Sequence, residues 1–281
     1  MENLSPSQQN KKWAAINFDG SLAIVTIVSG AYQWYLPLWF YCIKKELPAA
    51  HPIAYIHGDV EGLPFGIIGA DMAMDIRASM DLNVYPVNGP TTAALRFTYD
   101  DQHLRSFDYV LITDCDILMV RENPSIINQH MRMAGRYNLG CYHNYISNDT
   151  PEGAKVPGVH FVTRAWWDAT AATRAKYQKL LREYGSTDWD WDEHMLYRII
   201  LESGLTPPPR EYHIWAHHGI HLGDYRRRID NKTKGPVPSG HHSSYLRQLQ
   251  HDPEFMHLVD LCAPHLKHLK ETFKLLNQLV G

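Results

Sequence analysis

The amino-acid sequence predicts an α/β fold: a central, mostly parallel sheet with helices on both faces and a helical appendage at the C-terminal end. Three stretches carry that prediction. Leu22–Val28 (LAIVTIV) is a strongly apolar run rich in β-branched residues and interrupted only by Thr26, the pattern of a buried strand. The turn SGAY at 29–32 leads into an aromatic helix over 33–45, so the chain opens as strand, turn, helix. Residues 108–120 (DYVLITDCDILMV) place a second short buried strand, Val110, Leu111 and Ile112, just before Asp114, Cys115 and Asp116, with a further apolar run behind them.

Composition narrows the function classes. A chain of 281 residues suffices for one large α/β domain or two small ones. Hydrophobic content of 44% and charged content of 20% are those of a soluble globular protein. A net charge of -3, from 27 basic and 30 acidic residues, makes no electrostatic case for nucleic acid. Cys42, Cys115, Cys141 and Cys262 form no CxxC pair, which argues against a zinc knuckle or a disulfide framework and fits a reducing cytoplasm. Residues 1–12 contain no apolar signal core. The run 31–43 is broken by Gln33 and Pro37 and is too short to span a bilayer. No GxGxxG or Walker A sequence appears, so ordinary dinucleotide and P-loop sites are excluded.

The remaining elements follow in order. Residues 1–20 read as a polar leader, 21–240 as the α/β domain and 241–281 as the appendage. Strands are expected at 52–56, 82–86 and 158–163. Helices are expected over 67–80, around 93–97, over 125–136, from Trp166 to about Tyr184 and over 195–202. The polar stretch 144–156 reads as a loop placed where an active-site lid would be useful. Residues 205–209 are a proline-rich connector, 220–223 a strand ending in a loop, and 232–242 a loop. From Pro253, apolar residues at 255, 259, 262, 266, 269, 273, 276 and 280 alternate by four and three. That spacing makes one narrow seam, packed on its own domain in preference to a dimer partner or a membrane surface.

The chemistry centres on Asp114 and Asp116. Carboxylates one residue apart at a strand end point the same way and repel unless a cation lies between them. Mg²⁺ or Mn²⁺ takes one or two carboxylates together with substrate phosphates. The pair therefore suggests a metal–diphosphate site at the carboxyl edge of the sheet. Its bland alternative is a loop cap. A second acid-rich stretch, STDWDWDEH at 186–194, precedes the helix over 195–202 and contains more acids than capping needs. His213, His217 and His221 share a helical face, a zinc-like spacing, but Gly219 and Gly223 argue against that helix.

DYVLITDCDILMV resembles the DxD motif of GT-A glycosyltransferases, and DEHML at 192–196 resembles the acidic motifs of the retaining family 8 and of the family 6, blood-group-like, transferases. The resemblance spans roughly residues 20–228 in element order. It implies a GT-A-like, Rossmann-like fold and a metal-dependent glycosyltransferase. The donor would be a nucleotide-diphosphate sugar, with a UDP-sugar favoured, and the acceptor a carbohydrate, a lipid-linked glycan or another hydroxyl. The cofactor would be Mn²⁺ or Mg²⁺, with retention favoured over inversion.

Residue by residue, the resemblance places the metal on Asp114, Asp116 and His221, with His218 in reserve. Ser29, Tyr32, Arg96, Asp114 and Arg226 would hold the donor. Glu193 would sit at the anomeric centre with Asp192 beside it. His160, Trp166 and Asp190 would line the sugar and acceptor side. A cytoplasmic protein, with peripheral membrane contact or a homodimer through the C-terminal helices, is the setting expected. A sugar-phosphate nucleotidyltransferase and a metal-dependent hydrolase are the rival readings. The first normally shows a basic Gly-rich loop after strand one, and 29–34 carries no Lys or Arg; the second lacks an HxH or HExxH pattern.

Overall fold

The structure, a computed structural model, describes residues 16–58, 75–78, 82, 84–144, 146, 148–150, 153–189, 191–208, 218–229 and 240–280, with the backbone alone at 75–78, 148–150, 153, 227–229 and 280. A six-stranded sheet forms its centre. In chain order the strands are β1 (Leu22–Val28), β2 (His51–Ile56), β3 (Asp75–Ala78), β4 (Tyr109–Ile112), β6 (Tyr142–His143) and β9 (His160–Thr163). Their spatial order is β3-β2-β1-β4-β9-β6. β3, β2, β1 and β4 run parallel, and β9 is antiparallel to both β4 and β6.

The prediction of a mostly parallel α/β sheet therefore holds. β1 goes to β2 on one side, while β4 returns on the other. Such a reversal opens a crevice at the carboxyl ends of the two central strands.

Alternation along β1 divides the interior. Leu22, Ile24 and Val28 face one core, and Ala23, Val25 and Ile27 face the other. The first core receives α1 (Leu36–Glu46), which buries Trp39, Phe40 and Ile43. A 3-10 turn over Gly30–Tyr35 precedes α1, so the expected turn at 29–32 runs on through residues 33–35, where helix was expected. The second core receives α2 (Gly89–Thr98), α4 (Arg164–Tyr184) and α5 (Trp191–Glu202).

Outside the main sheet, β5 (Ile117–Met119) pairs antiparallel with β10 (Gly219–His221), and β7 (Asn148–Thr150) pairs with β8 (Gly153–Lys155). The β7–β8 hairpin occupies the stretch expected to be loop. α3 (Ile126–Tyr137) starts at Ser125, whose side chain accepts from the Asn128 amide. α3 also holds the end of the leader, since Phe18 N donates to Asn128 Oδ1 (2.9 Å) and Arg132 Nη2 to Ile16 O (3.1 Å).

Two expectations fail near the sheet edge. The strand beside β2 is Asp75–Ala78, inside the predicted helix 67–80, and Leu82 and residues 84–86 are not strand. After β10 the chain enters α6 (Leu222–Ile229), so Arg226 stands on a helix instead of a loop.

The C-terminal end forms α7 (Gly240–Gln250), α8 (Pro253–Cys262) and α9 (Leu269–Val280). Phe255, Val259, Cys262, Leu266, Leu269, Phe273 and Leu276 are all buried in the first core. The seam thus packs back onto its own domain. All four cysteines are unpaired. No helix among the described residues is long and apolar enough to cross a membrane.

Candidate active site at the carboxyl ends of the central strands

A cavity of about 640 Å³ opens where the chain leaves β1 and β4. From the β1 end it is lined by Ser29 and Tyr32; from α2 by Thr92 and Arg96; from the β4–β5 turn by Asp114 and Asp116. Asp192 and Glu193 enter from α5, and His221 and Arg226 from β10 and α6. The expected donor, metal and catalytic residues thus meet in one place, from segments spread across much of the chain.

Local structure explains each position. Asn88 caps α2 by accepting from Thr91 N (2.8 Å), and Thr92 and Arg96 then fall one turn apart on the face over the cavity. α5 begins at Trp191 instead of Met195, so Asp192 and Glu193 lie in its first turn, where acids are stabilised by the helix dipole. Antiparallel pairing sets His221 opposite Ile117, next to Asp116, and Leu222 N donates to Asp116 O (2.8 Å).

The electrostatics correct one premise. Asp114 and Asp116 do not lack counter-charges. The Arg96 guanidinium pairs with Asp114 and reaches Asp192 Oδ2 at 2.9 Å. His221 Nε2 lies 3.2 Å from Asp116 Oδ1, and its Nδ1 lies 3.3 Å from Asp224 Oδ2. Burial opposes a charge on Arg96, but Asp114 and Asp192 outweigh it and raise its pKa. Burial likewise works against a proton on His221, and Asp116 overcomes it, so that pKa is raised well above the usual imidazole value. Asp192 is raised chiefly by burial, with Arg96 opposing.

The donor set fits a divalent ion. One ligand atom each from Asp114, Asp116 and His221 lie within 4.8 Å of one another. Gly223 leaves the adjoining space open: a Cβ there would sit 2.7 Å from Asp116 Oδ2 and 3.0 Å from His221 Nε2. Two carboxylates and one imidazole suit Mn²⁺ or Mg²⁺. Gly158 does the same for the acidic floor, since a Cβ there would lie 3.1 Å from Arg96 Nη2 and 3.4 Å from Asp114 Oδ2.

Around this centre, Arg226 Nη2 donates to the Tyr32 hydroxyl at 3.4 Å. Thr92 Oγ1 donates to Ser29 Oγ at 2.9 Å. Glu193 Oε2 faces Lys155 Nζ, from the β7–β8 hairpin, at 3.4 Å.

Other expected site residues lie elsewhere. His160 and Trp166 are fully buried in the second core, with ring centroids 4.6 Å apart, and neither lines the cavity. Alternation on β9 and the first turn of α4 send them inward. His218 is also buried away from the cavity, with Nε2 2.7 Å from His130 Nε2. Asp190, His213 and His217 lie outside the described residues.

The sequence reading did not single out Trp189, Lys155 or Asp224. Trp189 is exposed at the cavity, with its ring centroid 6.4 Å from that of Tyr32. Its place in an alternating Asp/Trp run was the available signal. Nothing in the local sequence marks Lys155, because the hairpin that brings it to Glu193 was read as loop.

No protein-family profile and no curated protein sequence matches the chain. Among solved structures it is similar to the glycosyltransferase GlyE from Streptococcus pneumoniae TIGR4, at 13% identity and a TM-score of 0.41 over 64% of this chain and 43% of that one. The apo form of GlyE gives 13% identity and a TM-score of 0.39. The mannosyltransferase PcManGT from Pyrobaculum calidifontis, in complex with GDP-Man and Mn²⁺, gives 12% identity and a TM-score of 0.37 over 97% of this chain and 90% of that one. The chain spans less than half of the length of GlyE.

Proposed function

We propose that the chain is a metal-dependent glycosyltransferase that moves a sugar from a nucleotide-diphosphate sugar to a hydroxyl acceptor. One observation carries this reading: a single cavity unites a carboxylate–imidazole donor set, a guanidinium beside aromatic rings, and a separate acid pair on α5. Asp114, Asp116 and His221 would hold Mn²⁺ or Mg²⁺, which when bound neutralises charge building on a leaving diphosphate. Arg226 offers a two-pronged contact to phosphate oxygens. Tyr32 and Trp189 present ring faces to a nucleobase, and Ser29 and Thr92 present hydroxyls to its ribose. Arg96 keeps Asp114 and Asp192 in fixed positions.

In the transfer, the bond from the anomeric carbon to the phosphate oxygen breaks and a bond to the acceptor oxygen forms. The acceptor proton passes to Glu193 in inversion, or to the departing phosphate oxygen in retention, and the nucleoside diphosphate departs. Glu193 is placed in the role of nucleophile or ion-pair stabiliser for retention, the favoured outcome, or of base for inversion. A UDP-sugar donor and a glycan or lipid-linked acceptor complete the reading. The unpaired cysteines fit a cytoplasmic setting.

Thermal-shift screening of UDP- and GDP-sugars with and without Mn²⁺ tests it. A ligand at about a hundred times its Kd stabilises by about 2.7 kcal/mol. A rise in melting temperature should appear only with donor and metal together, and should vanish in Asp116→Asn. Unchanged donor affinity in EDTA would sink the metal site. Consumption of a nucleoside triphosphate with pyrophosphate release would point to the nucleotidyltransferase instead.

A further inference from the structure

The ribbon that carries Asp116 and His221 at one end carries a second cluster at the other. Past β5, Val120 N donates to His218 O (2.9 Å), and Glu122 follows shortly after. The four residue steps of extended chain from Asp116 to Val120 cover about 13 Å at roughly 3.3 Å each, so the two ends are separate places. His218 is buried, and its Nδ1, 3.8 Å from Glu122 Oε1, has no hydrogen-bond partner among the described residues. From the facing side come His241 and His242, in the first turn of α7. Their Nε2 atoms lie 3.1 Å from Glu122 Oε2 and 3.0 Å from Glu122 Oε1. Ligand atoms of Glu122, His241 and His242 all lie within 4.8 Å of one another.

Hydrogen bonds alone account for His241 and His242, each giving one N–H to the carboxylate. They do not account for His218. Behind it, His218 Nε2 meets His130 Nε2 at 2.7 Å, and His130 Nδ1 meets His143 Nδ1 at 2.6 Å. Each of these contacts holds one proton, and a neutral imidazole has one N–H to give. The protons can then run in either direction. In one, His218 Nδ1–H points at Glu122 across 3.8 Å, beyond hydrogen-bond reach. In the other, His218 Nε2–H donates to His130, and His218 Nδ1 turns a lone pair towards a carboxylate. That second arrangement sets a lone pair against an anion and needs a cation or a proton donor between the two.

We infer that Glu122, His218, His241 and His242 bind a divalent ion of the zinc class, at a site separate from Asp114, Asp116 and His221. Three imidazoles and one carboxylate are borderline donors suited to a tetrahedral ion, whereas the first site is the more oxygen-rich of the two. In the second arrangement His130 accepts from His218 Nε2–H, the kind of support that metal-bound histidines ordinarily receive. Because α7 opens the C-terminal helices, the ion fastens them to the ribbon behind the first site.

The test uses the full chain, stripped with chelator and titrated with Co²⁺ as a visible stand-in, then with Zn²⁺ by calorimetry. One equivalent of Co²⁺ should give the intense visible bands of a tetrahedral, nitrogen-rich site. Those bands should persist in Asp116→Asn and disappear in His241→Ala/His242→Ala, with Zn²⁺ affinity at least about tenfold weaker. His241→Asn, at an exposed position, should move both readouts the same way and guards against misfolding of the double variant. Parental spectra and affinity in both histidine variants would overturn the site. Loss of the bands in Asp116→Asn would show that the ion had been in the first site. Failure of the stripped chain to take up Co²⁺ in Asp116→Asn would leave Glu122 as a hydrogen-bond clamp and likewise end the inference.

Discussion

Arg96 Nη2 lies 2.9 Å from Asp192 Oδ2, with both side chains buried, and the same guanidinium pairs with Asp114. One cation thus joins the end of β4 to the start of α5 beneath the cavity. Removing it strands the buried Asp192 and the half-buried Asp114. Arg96→Met should lower stability by about 3–5 kcal/mol at neutral pH. Burial already raises the folded-state pKa of Asp192 and Arg96 opposes that rise, so in the variant the pKa climbs further, and the penalty is present above that higher value and relieved as pH falls through it. Arg96→Met/Asp192→Leu should recover part of the loss. Urea unfolding of the set would reject the bridge as a structural element if Arg96→Met matched the parent.

Gly223 is small for a stated reason. A methyl group there would enter the space beside Asp116 Oδ2 and His221 Nε2. Gly223→Ala should therefore weaken Mn²⁺ binding by about tenfold or more, with a melting temperature close to that of the parent, because α6 accepts alanine readily. Gly219→Ala should behave in the opposite way. Its Cβ would run into the Leu118 carbonyl of the paired strand, so folding should suffer first. Equal metal affinity for Gly223→Ala and the parent would mean that the ion sits elsewhere.

Much of the frame was legible because its signals are local. β1 and β4 are short runs dominated by apolar residues, and α3 announces itself with Ser125 at the cap. β3 was not legible: its apolar spacing suggested helix, and only pairing with Ile53–Ile56 of β2 makes it strand. His160 and Trp166 have residue types that suit sugar binding, yet alternation and packing put them in the core. The counter-charges at Asp114 and Asp116 were hidden for another reason. Arg96 and His221 reach them only through tertiary structure, as His241 and His242 reach Glu122.

Asp252 fastens α1 to α8. Its carboxylate accepts from the Tyr41 hydroxyl (2.6 Å), pairs with Lys45, and caps α8 through Glu254 N (3.1 Å) and Phe255 N (3.3 Å). Burial pushes its pKa up, but these donors prevail and hold it at about 2 against an ordinary 3.8. A depressed folded-state pKa gives stability that is complete above 3.8 and lost as pH falls towards about 2. Asp252→Ala should cost about 1–2 kcal/mol near neutral pH, and Asp252→Asn, which still caps, less. The gap to the parent should close over that acid window. A gap independent of pH in denaturant titrations would assign the whole effect to packing.

Leu269 opens α9 and is buried with Phe255 and Phe273 in the first core. Leu269→Glu would place an unpaired carboxylate there, at a cost on the order of several kcal/mol. Melting temperature and sedimentation measured side by side decide the matter. Parental values for both would show that the seam is open to solvent in solution.

Glu193 separates structure from chemistry most sharply. It lies in the first turn of α5, where a carboxylate is favoured by the dipole and free amides, and Lys155 stands 3.4 Å away. It also lines the cavity beside Asp192. If its task is capping and an ion pair, Glu193→Gln should cost about 1 kcal/mol or less and leave turnover nearly intact. If it acts at the anomeric carbon, the isosteric change should leave folding and donor affinity alone while turnover falls about a hundredfold or more. We expect the second result. Lys155→Met is the control: it removes the counter-charge but keeps the carboxylate, so turnover should fall by less than in Glu193→Gln. Near-parental turnover in Glu193→Gln at saturating donor and acceptor would take Glu193 out of the mechanism and turn attention to Asp192. Product NMR in the same assays reads the anomeric configuration, where retention is the outcome expected.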